Sequence, residues 1–317
     1  MKISVSRKAS LFLALFLTLA STGCTFLKVS LIEEAQPLTE RVIGGSGRDK
    51  VLLLDISGFI SNRDSDVLPG GGKGPGLLAR VREELDRARE DRRIKAVVLR
   101  INSPGGGVTA SDMLYHELRK FKTETGVKVL AHIMDVGTSG AYYAALAADR
   151  ITAQPTSVTG SIGVIMYRLD ATGLMQKIGL ESVEIASGNR KGMGSPFRPL
   201  SPEEKALFQN LIDGLQGRFV NTVAEARRLA PEKVRQLADG RIYSSKEAEE
   251  AGLIDGIGYL DDAIEQAKKM ANLTRASVVT YYRPGEYRAN VYSLNLVNID
   301  MGALAEPGAR FLYIWWP

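Results

Sequence analysis

Two glycine-bearing turns hold the residue types from which chemistry could be built: Ile101-Asn102-Ser103-Pro104-Gly105-Gly106-Gly107 and Gly137-Thr138-Ser139-Gly140. The first follows an apolar run, and three glycines after Pro104 leave main-chain N–H groups unshielded where a turn alone would need one glycine. The second sets a serine hydroxyl between a strand end and a helix start, with the Gly140 N–H pointing into the same space. A nucleophile, Ser139, and a two-donor oxyanion hole, Gly106 with Gly140, are the equipment of acyl transfer. Taken without the first turn, Ser139 reads more readily as a helix N-cap, a position that favours serine.

A serine hydroxyl needs a base, and the chain has two histidines. His116 falls on an amphipathic helix and His132 inside a strand. Asp135 lies between His132 and Ser139, so a Ser-His-Asp arrangement stays open, although a histidine in a strand is more often a core residue. Lys191, in Ser187-Gly188-Asn189-Arg190-Lys191-Gly192, is the other candidate. A lysine amine becomes a usable base when desolvation or a neighbouring cation favours its neutral form, and Arg190 and Arg198 are cations close by in sequence. By itself a lysine in a glycine-rich loop reads equally as a solvated surface charge. Ser161, in Thr159-Gly160-Ser161-Ile162-Gly163, could orient such a lysine, or be a turn serine only. The sequence has no His-Glu-x-x-His and no cysteine pair. Gly70 to Gly74 lacks the lysine-serine ending of a phosphate loop, and no dinucleotide fingerprint opens the first helix, so no cofactor and no metal are expected.

The elements that must position these groups alternate. Val51 to Ile56 reads as a buried strand, Leu77 to Glu90 as an amphipathic helix with Leu78, Val81, Leu85 and Ala88 at helical spacing, and Ile94 to Ile101 as the next strand. A helix from Ser111 to Phe121, a strand over Lys128 to Met134 and a small-residue helix over Gly140 to Ala148 follow. Short strands are expected at Arg150 to Ala153 and Ile162 to Met166, and a helix near Ala171 to Ile178 leads to Ser182 to Ala186. Ser187 to Pro196 reads as a loop. A long helix over Pro202 to Leu229 opens on Ser201 with Glu204 three places on. Helices at Pro231 to Leu237, Ser245 to Ala251 and Asp261 to Ala271 complete the body. Strand–helix alternation argues for an α/β fold with parallel strands, βαβ crossovers and a C-terminal helical part. The tail beyond Tyr281 has no clear period yet ends Arg310-Phe311-Leu312-Tyr313-Ile314-Trp315-Trp316-Pro317, too apolar for a solvated terminus. It is expected to dock on a protein surface or a membrane interface.

The 317 residues carry a net charge of +5, but three of the 41 bases, Lys2, Arg7 and Lys8, precede Cys24 and no acid does. A chain starting at Cys24 is near neutral, so nucleic-acid binding is set aside. Those bases, the apolar run Leu11 to Leu19 and Ala20-Ser21-Thr22-Gly23-Cys24 read as a secretory signal, the apolar run being short for a membrane span. Cys24 is the one cysteine, so no internal disulfide can form. Its place after Gly23 is similar to a bacterial lipoprotein cleavage site, with Ser21 standing where leucine is usual. A plain signal or an uncleaved anchor remains the alternative. Either way the body is expected on the exported side of a bacterial cell envelope, tethered to a membrane.

Taken together, these motifs resemble the signal peptide peptidase A family, also called the protease IV family, in its short single-domain form. The resemblance covers roughly Val51 to Ala271. It rests on Asn102 to Val108, Ser139 to Tyr143, Thr159 to Val164, Ser187 to Lys191 with Ser195-Pro196, and Asp239-Gly240-Arg241-Ile242-Tyr243 leading to Gly252-Leu253-Ile254-Asp255. The first motif is shared with the Clp protease and its crotonase-like fold, but the histidine expected there after the serine is absent. The resemblance implies a crotonase-like fold and a serine endopeptidase with Ser139 as nucleophile, Lys191 as general base, Ser161 positioning the lysine, and Gly106 and Gly140 as oxyanion donors. It also implies self-association, with the lysine reaching a neighbouring subunit's serine, and cleaved signal peptides or other membrane-released peptides as substrates. Gly192 stands where an acidic residue often follows the lysine. The expected organisation is a signal sequence over 1–24, a linker over 25–50, a peptidase domain over 51–271 and a C-terminal extension over 272–317. Two other readings stay open: an acyl-thioester hydrolase or hydratase, against which export speaks, and a non-catalytic assembly scaffold.

Overall fold

The computed structural model describes residues 37–63, 75–283, 290–292 and 310–315. The signal sequence, Cys24, residues 25–36 of the linker and the Gly70 to Gly74 loop lie outside these residues. In chain order the elements are β1 (Thr39–Gly45), β2 (Lys50–Ser57), α1 (Leu77–Glu90), β3 (Ile94–Ser103), β4 (Gly105–Gly107), α2 (Val108–Thr125), β5 (Lys128–Thr138), α3 (Gly140–Ala145), β6 (Arg150–Ala153) and β7 (Val158–Gly160). They continue with β8 (Ile165–Tyr167), α4 (Thr172–Lys177), α5 (Pro202–Arg227), α6 (Pro231–Leu237), β9 (Ile242–Ser244), α7 (Ser245–Glu250), β10 (Gly256–Ile257), α8 (Leu260–Met270), β11 (Ser277–Tyr282) and β12 (Arg310–Ile314).

The main sheet runs β1-β11-β2-β3-β5-β6-β10, with β7 branching from β5 and carrying β9. Its centre, β2-β3-β5-β6, is parallel, as helical crossovers require. Side chains alternate across that sheet and both faces are buried. Leu52, Leu54, Val97, Leu99, Ala131 and Ile133 pack towards Val81, Leu85, Leu114, Phe121 and Tyr142. Val51, Leu53, Val98 and Leu130 pack on the other face with Leu260, Ile264 and Ala267 of α8. Near-continuous apolar strands are the outcome, which is why these strands were legible as runs.

The sheet extends beyond the expected 51–271 on both sides. β1 pairs antiparallel with β11, and β11 pairs parallel with β2, so residues 39–45 and 277–282 form one edge of the sheet. The α5 capping box forms as expected: Glu204 N donates to Ser201 Oγ at 3.2 Å and Ser201 N to Glu204 Oε2 at 3.1 Å. Residues 179–200 carry no helix or strand. A second, three-stranded sheet has the order β4-β12-β8, so the glycine run and the apolar tail lie side by side. Among the described residues no helix is long and apolar enough to cross a membrane.

Candidate active site

Asn102 is the penultimate residue of β3, and its side chain ties two strand ends together. Its Nδ2 donates to Asp135 at 2.9 Å and its Oδ1 accepts from Val136 N at 3.3 Å, across the C-terminal ends of β3 and β5. Ligands of open parallel sheets collect at such strand ends. Next, Gly105 N donates to Ser103 Oγ at 3.1 Å, and Gly105 takes a φ of +100°, which glycine adopts without strain. Gly106 faces a backbone: a Cβ there would lie 2.1 Å from the Ile60 carbonyl oxygen. Ile60 N donates to Gly105 O at 2.8 Å and Gly107 N to Ile60 O at 3.0 Å. The Gly105 carbonyl and the Gly107 N–H are thus used on one edge, and the N–H and carbonyl of Gly106 face the opposite edge, alternate residues of a strand pointing opposite ways. Two of the three glycines are therefore required, one by its φ and one by close approach.

Ser139 follows β5 and is the residue before α3. It has φ 52° and ψ −115°, a conformation rare for a residue with a Cβ and costing about 1–3 kcal/mol. Its backbone is pinned on both sides: Ser139 N donates to Gly160 O at 2.7 Å, and Ser139 O accepts from Tyr143 N at 2.8 Å. Its Oγ makes no cap bond to α3; it is buried and has no hydrogen-bond partner. That removes the N-cap reading, and a buried hydroxyl without a partner is normally a cost. Gly140 begins α3, whose first N–H groups have no partner within the helix. A Cβ on Gly140 would fall 2.2 Å from Ser111 Oγ, so glycine lets α2 and α3 meet there.

Ser161 is brought beside the serine turn. Thr138 pairs with Gly160 across β5 and β7, which sets Ser161 one residue beyond that register. Ser161 also takes a positive φ, 48°, and is held by its N–H donating to Arg241 O at 2.7 Å. Gly160 has φ +88° and lies against the Tyr243 ring, 2.5 Å from where a Cβ would be. The Asp239 to Tyr243 motif thus acts as a brace under the Ser161 turn through β9.

The three residues of a Ser-His-Asp reading go separate ways. His132 is buried in mid-sheet, Nδ1 lies 2.9 Å from Thr152 Oγ1, and burial pulls its pKa down to about 4. Asp135 is exposed and bonds Asn102, and Ser139 Oγ touches neither. His116 is exposed on α2.

Lys191 is not in hydrogen-bond contact with Ser139 in the single chain, since Ser139 Oγ has no partner. It lies exposed in a turn closed by Lys191 N donating to Gly188 O at 3.0 Å. The hollow beside it is lined, among the described residues, by Ser187 to Lys191. The Glu184 carboxylate folds over Gly192, within 2.1 Å of where a Cβ would be. An acidic group therefore does stand at position 192, supplied by Glu184, which also pairs with Arg198 at 3.3 Å. Sequence reading missed Ile60 and Ser111, whose roles come from close backbone approach and leave no local pattern. It also missed an aromatic cluster, Tyr115, Tyr143 and Phe219, that joins α2, α3 and α5.

Residues 121–274 match the model of peptidase family S49, a span that holds Ser139, Ser161 and Lys191. A candidate signal peptide peptidase SppA of Enterococcus faecium is 39% identical over 75% of this chain and 68% of its own. The chloroplastic serine protease SPPA of Arabidopsis thaliana is 36% identical over 74% of this chain, which spans 34% of that longer protein. Protease 4 of Salmonella typhi is 32% identical over 66% of this chain and 33% of its own. Among solved structures, a ClpP1 mutant from Listeria monocytogenes aligns with a TM-score of 0.43 at 17% identity, over 68% of this chain and 95% of that one. On these similarities the chain belongs to peptidase family S49 and is a serine peptidase.

Proposed function

We propose that this peptidase cuts extended peptides through an acyl-enzyme on Ser139, with Lys191 of a neighbouring copy as general base. In this reading Ser161 orients the lysine, and the N–H groups of Gly106 and Gly140 stabilise the oxyanion. The observation that carries it is Ser139 itself: a buried hydroxyl with no partner, on a strained backbone. Strain and an unsatisfied polar atom are retained in a fold when the geometry has a use.

The chemistry follows from that placement. Ser139 Oγ attacks the peptide carbonyl carbon as its proton passes to a neutral amine. The negative charge gathers on the carbonyl oxygen, where fixed N–H dipoles in a water-poor site stabilise it without reorganising. Collapse expels the new amine, protonated by the lysine ammonium, and water activated by the same lysine then releases the acyl group. A base from a second copy is favoured because Lys191 is exposed and the segment around it is rich in exposed apolar groups. Leu174, Ile178, Val183 and Ile185 are each more than half exposed, an arrangement that a solvated monomer surface does not favour. Cleaved signal peptides and other membrane-released peptides suit a site that binds chains by strand addition. With the secretory reading of residues 1–24, the enzyme acts on the exported side of the membrane as a tethered homo-oligomer.

The test is labelling of the full chain with a fluorophosphonate and mapping of the adduct by mass spectrometry. The adduct is expected on Ser139, with none on Ser161 or in Ser139→Ala; an adduct on another serine overturns the assignment.

A further inference from the structure

The segment that carries Lys191 has no helix or strand of its own, yet its foot is tied down. We propose that Arg168 is a positioning residue for the base: its guanidinium clamps the foot of the loop that presents Lys191, so that the amine reaches a neighbouring copy in one fixed pose. The role rests on the serine peptidase reading above, with a base shared between copies.

Arg168 directly follows β8, and its side chain is only 11% exposed. A guanidinium so far from water needs acceptors for its N–H donors. Two of them come from the lysine loop: Nη2 donates to the carbonyl oxygen of Ser195, at 2.6 Å, and to that of Arg198. Nη1 pairs with Asp170 at 3.3 Å, and Ala171 N donates to Pro196 O at 2.8 Å. The carbonyls of residues 195, 196 and 198 are thus all bound by the short stretch after β8. A planar fork suits this task, because one nitrogen can bridge two carbonyls whose spacing is then set by the fork.

The hold is passed on towards the lysine. Ser195 N donates to Gly192 O at 3.0 Å, Met193 N to Arg190 O at 3.1 Å and Lys191 N to Gly188 O at 3.0 Å, so overlapping turns run from the clamp to the base. Glu184 closes the other limb of the loop. Its carboxylate lies over Gly192 and meets Arg198 Nε at 3.3 Å, and Arg198 forks onto Glu204 in the first turn of α5. Beyond these ties Lys191 is exposed. A tied foot with an exposed tip is what a base delivered to another copy requires, since the chain is ordered on folding and not at each encounter.

The experiment makes Arg168→Ala, Arg168→Lys and Glu184→Ala in the full chain and follows thermal melts and hydrolysis of a fluorogenic peptide. Each variant is then mixed, under subunit exchange, with Ser139→Ala or with Lys191→Ala. Arg168→Ala should lower kcat by about 10²-fold with KM within about twofold, Arg168→Lys should recover part of the loss, and Glu184→Ala should cost about tenfold in kcat. Mixed with Ser139→Ala, whose lysine loop is intact, Arg168→Ala should regain activity; mixed with Lys191→Ala it should not, because no copy then presents a sound base. Recovery with Lys191→Ala instead would put the defect on the serine side and overturn the proposal, as would a kcat equal to the parent's. If Arg168→Ala loses its cooperative melt, the same two mixtures made with Glu184→Ala decide by the same pattern. A mixture of Ser139→Ala with Lys191→Ala that exchanges subunits and stays inactive overturns the shared-site reading itself, and the role of Arg168 with it.

Discussion

Around Ser139 the neighbours are fixed, whereas around Lys191 almost none are. The serine turn is held by β5, β7 and α3, its glycines abut Ile60, Ser111 and Tyr243, and its side chain is fully buried. The lysine sits in a stretch without helix or strand, where Ile185 is 97% exposed and Gly188 has no heavy atom within 4 Å of a Cβ. A nucleophile and an oxyanion hole need preorganisation within one chain, since their geometry sets the barrier. A base can arrive with a partner. The contrast separates the part of the proposed site that one folded chain holds rigid from the part it leaves open to a partner.

The sharpest way to break that contrast is to remove one group from each side. Ser139→Ala and Lys191→Ala should each lower kcat by about 10⁴-fold or more, as for members of a catalytic unit, and thermal melts should show Lys191→Ala leaving stability unchanged. Activity surviving Lys191→Ala would exclude this lysine as the base. Glycine substitutions divide the two sides by another measure. Gly106→Ala, whose Cβ would lie 2.1 Å from the Ile60 oxygen, should reduce kcat/KM by about 10²-fold or more and destabilise the fold by about 2–4 kcal/mol in urea melts. Gly188→Ala, in open space, should stay within about 0.5 kcal/mol of the parent.

A smaller effect tests the packed side through pH. Burial holds His132 at a pKa of about 4, below its ordinary 6.5, so the unfolded chain binds the proton first as pH falls. The stability contributed by the neutral imidazole is full above pH 6.5 and declines as pH drops towards about 4. The size is about 3 kcal/mol by linkage. His132→Gln should flatten that part of the stability profile, read by urea melts from pH 7 to pH 4.5, while kcat near neutrality changes little. Least of all, Ser201→Ala, which removes the α5 capping bond, should cost about 1 kcal/mol.

Much of this molecule was legible in its sequence, for local reasons. Leu77–Glu90 follows its apolar spacing, Ser201 and Glu204 make the box their spacing announces, and the glycines at 105, 106 and 140 mark backbone that a side chain would block. What stayed hidden depends on residues far apart in the chain. Thr39–Gly45 reads as polar linker because its partner is Ser277–Tyr282, and the strand character of Arg310–Ile314 comes from the glycine edge two hundred residues earlier. The N-cap reading of Ser139 failed because its backbone takes φ 52° and ψ −115° and its hydroxyl makes no cap bond to the helix, something a residue type does not disclose. The role proposed for Lys191 comes from the family resemblance, since by itself a lysine in a glycine-rich loop reads equally as a solvated surface charge.

The most direct test mixes the two inactive proteins. Full-length Ser139→Ala and Lys191→Ala, each without turnover alone, are combined under conditions that allow subunit exchange, and hydrolysis of the fluorogenic peptide is followed. Recovery of a substantial fraction of parental activity, growing with exchange time, is the predicted result, because mixed assemblies pair an intact serine with an intact lysine from a neighbour. Mixtures that exchange subunits yet stay inactive would contradict a site shared between copies.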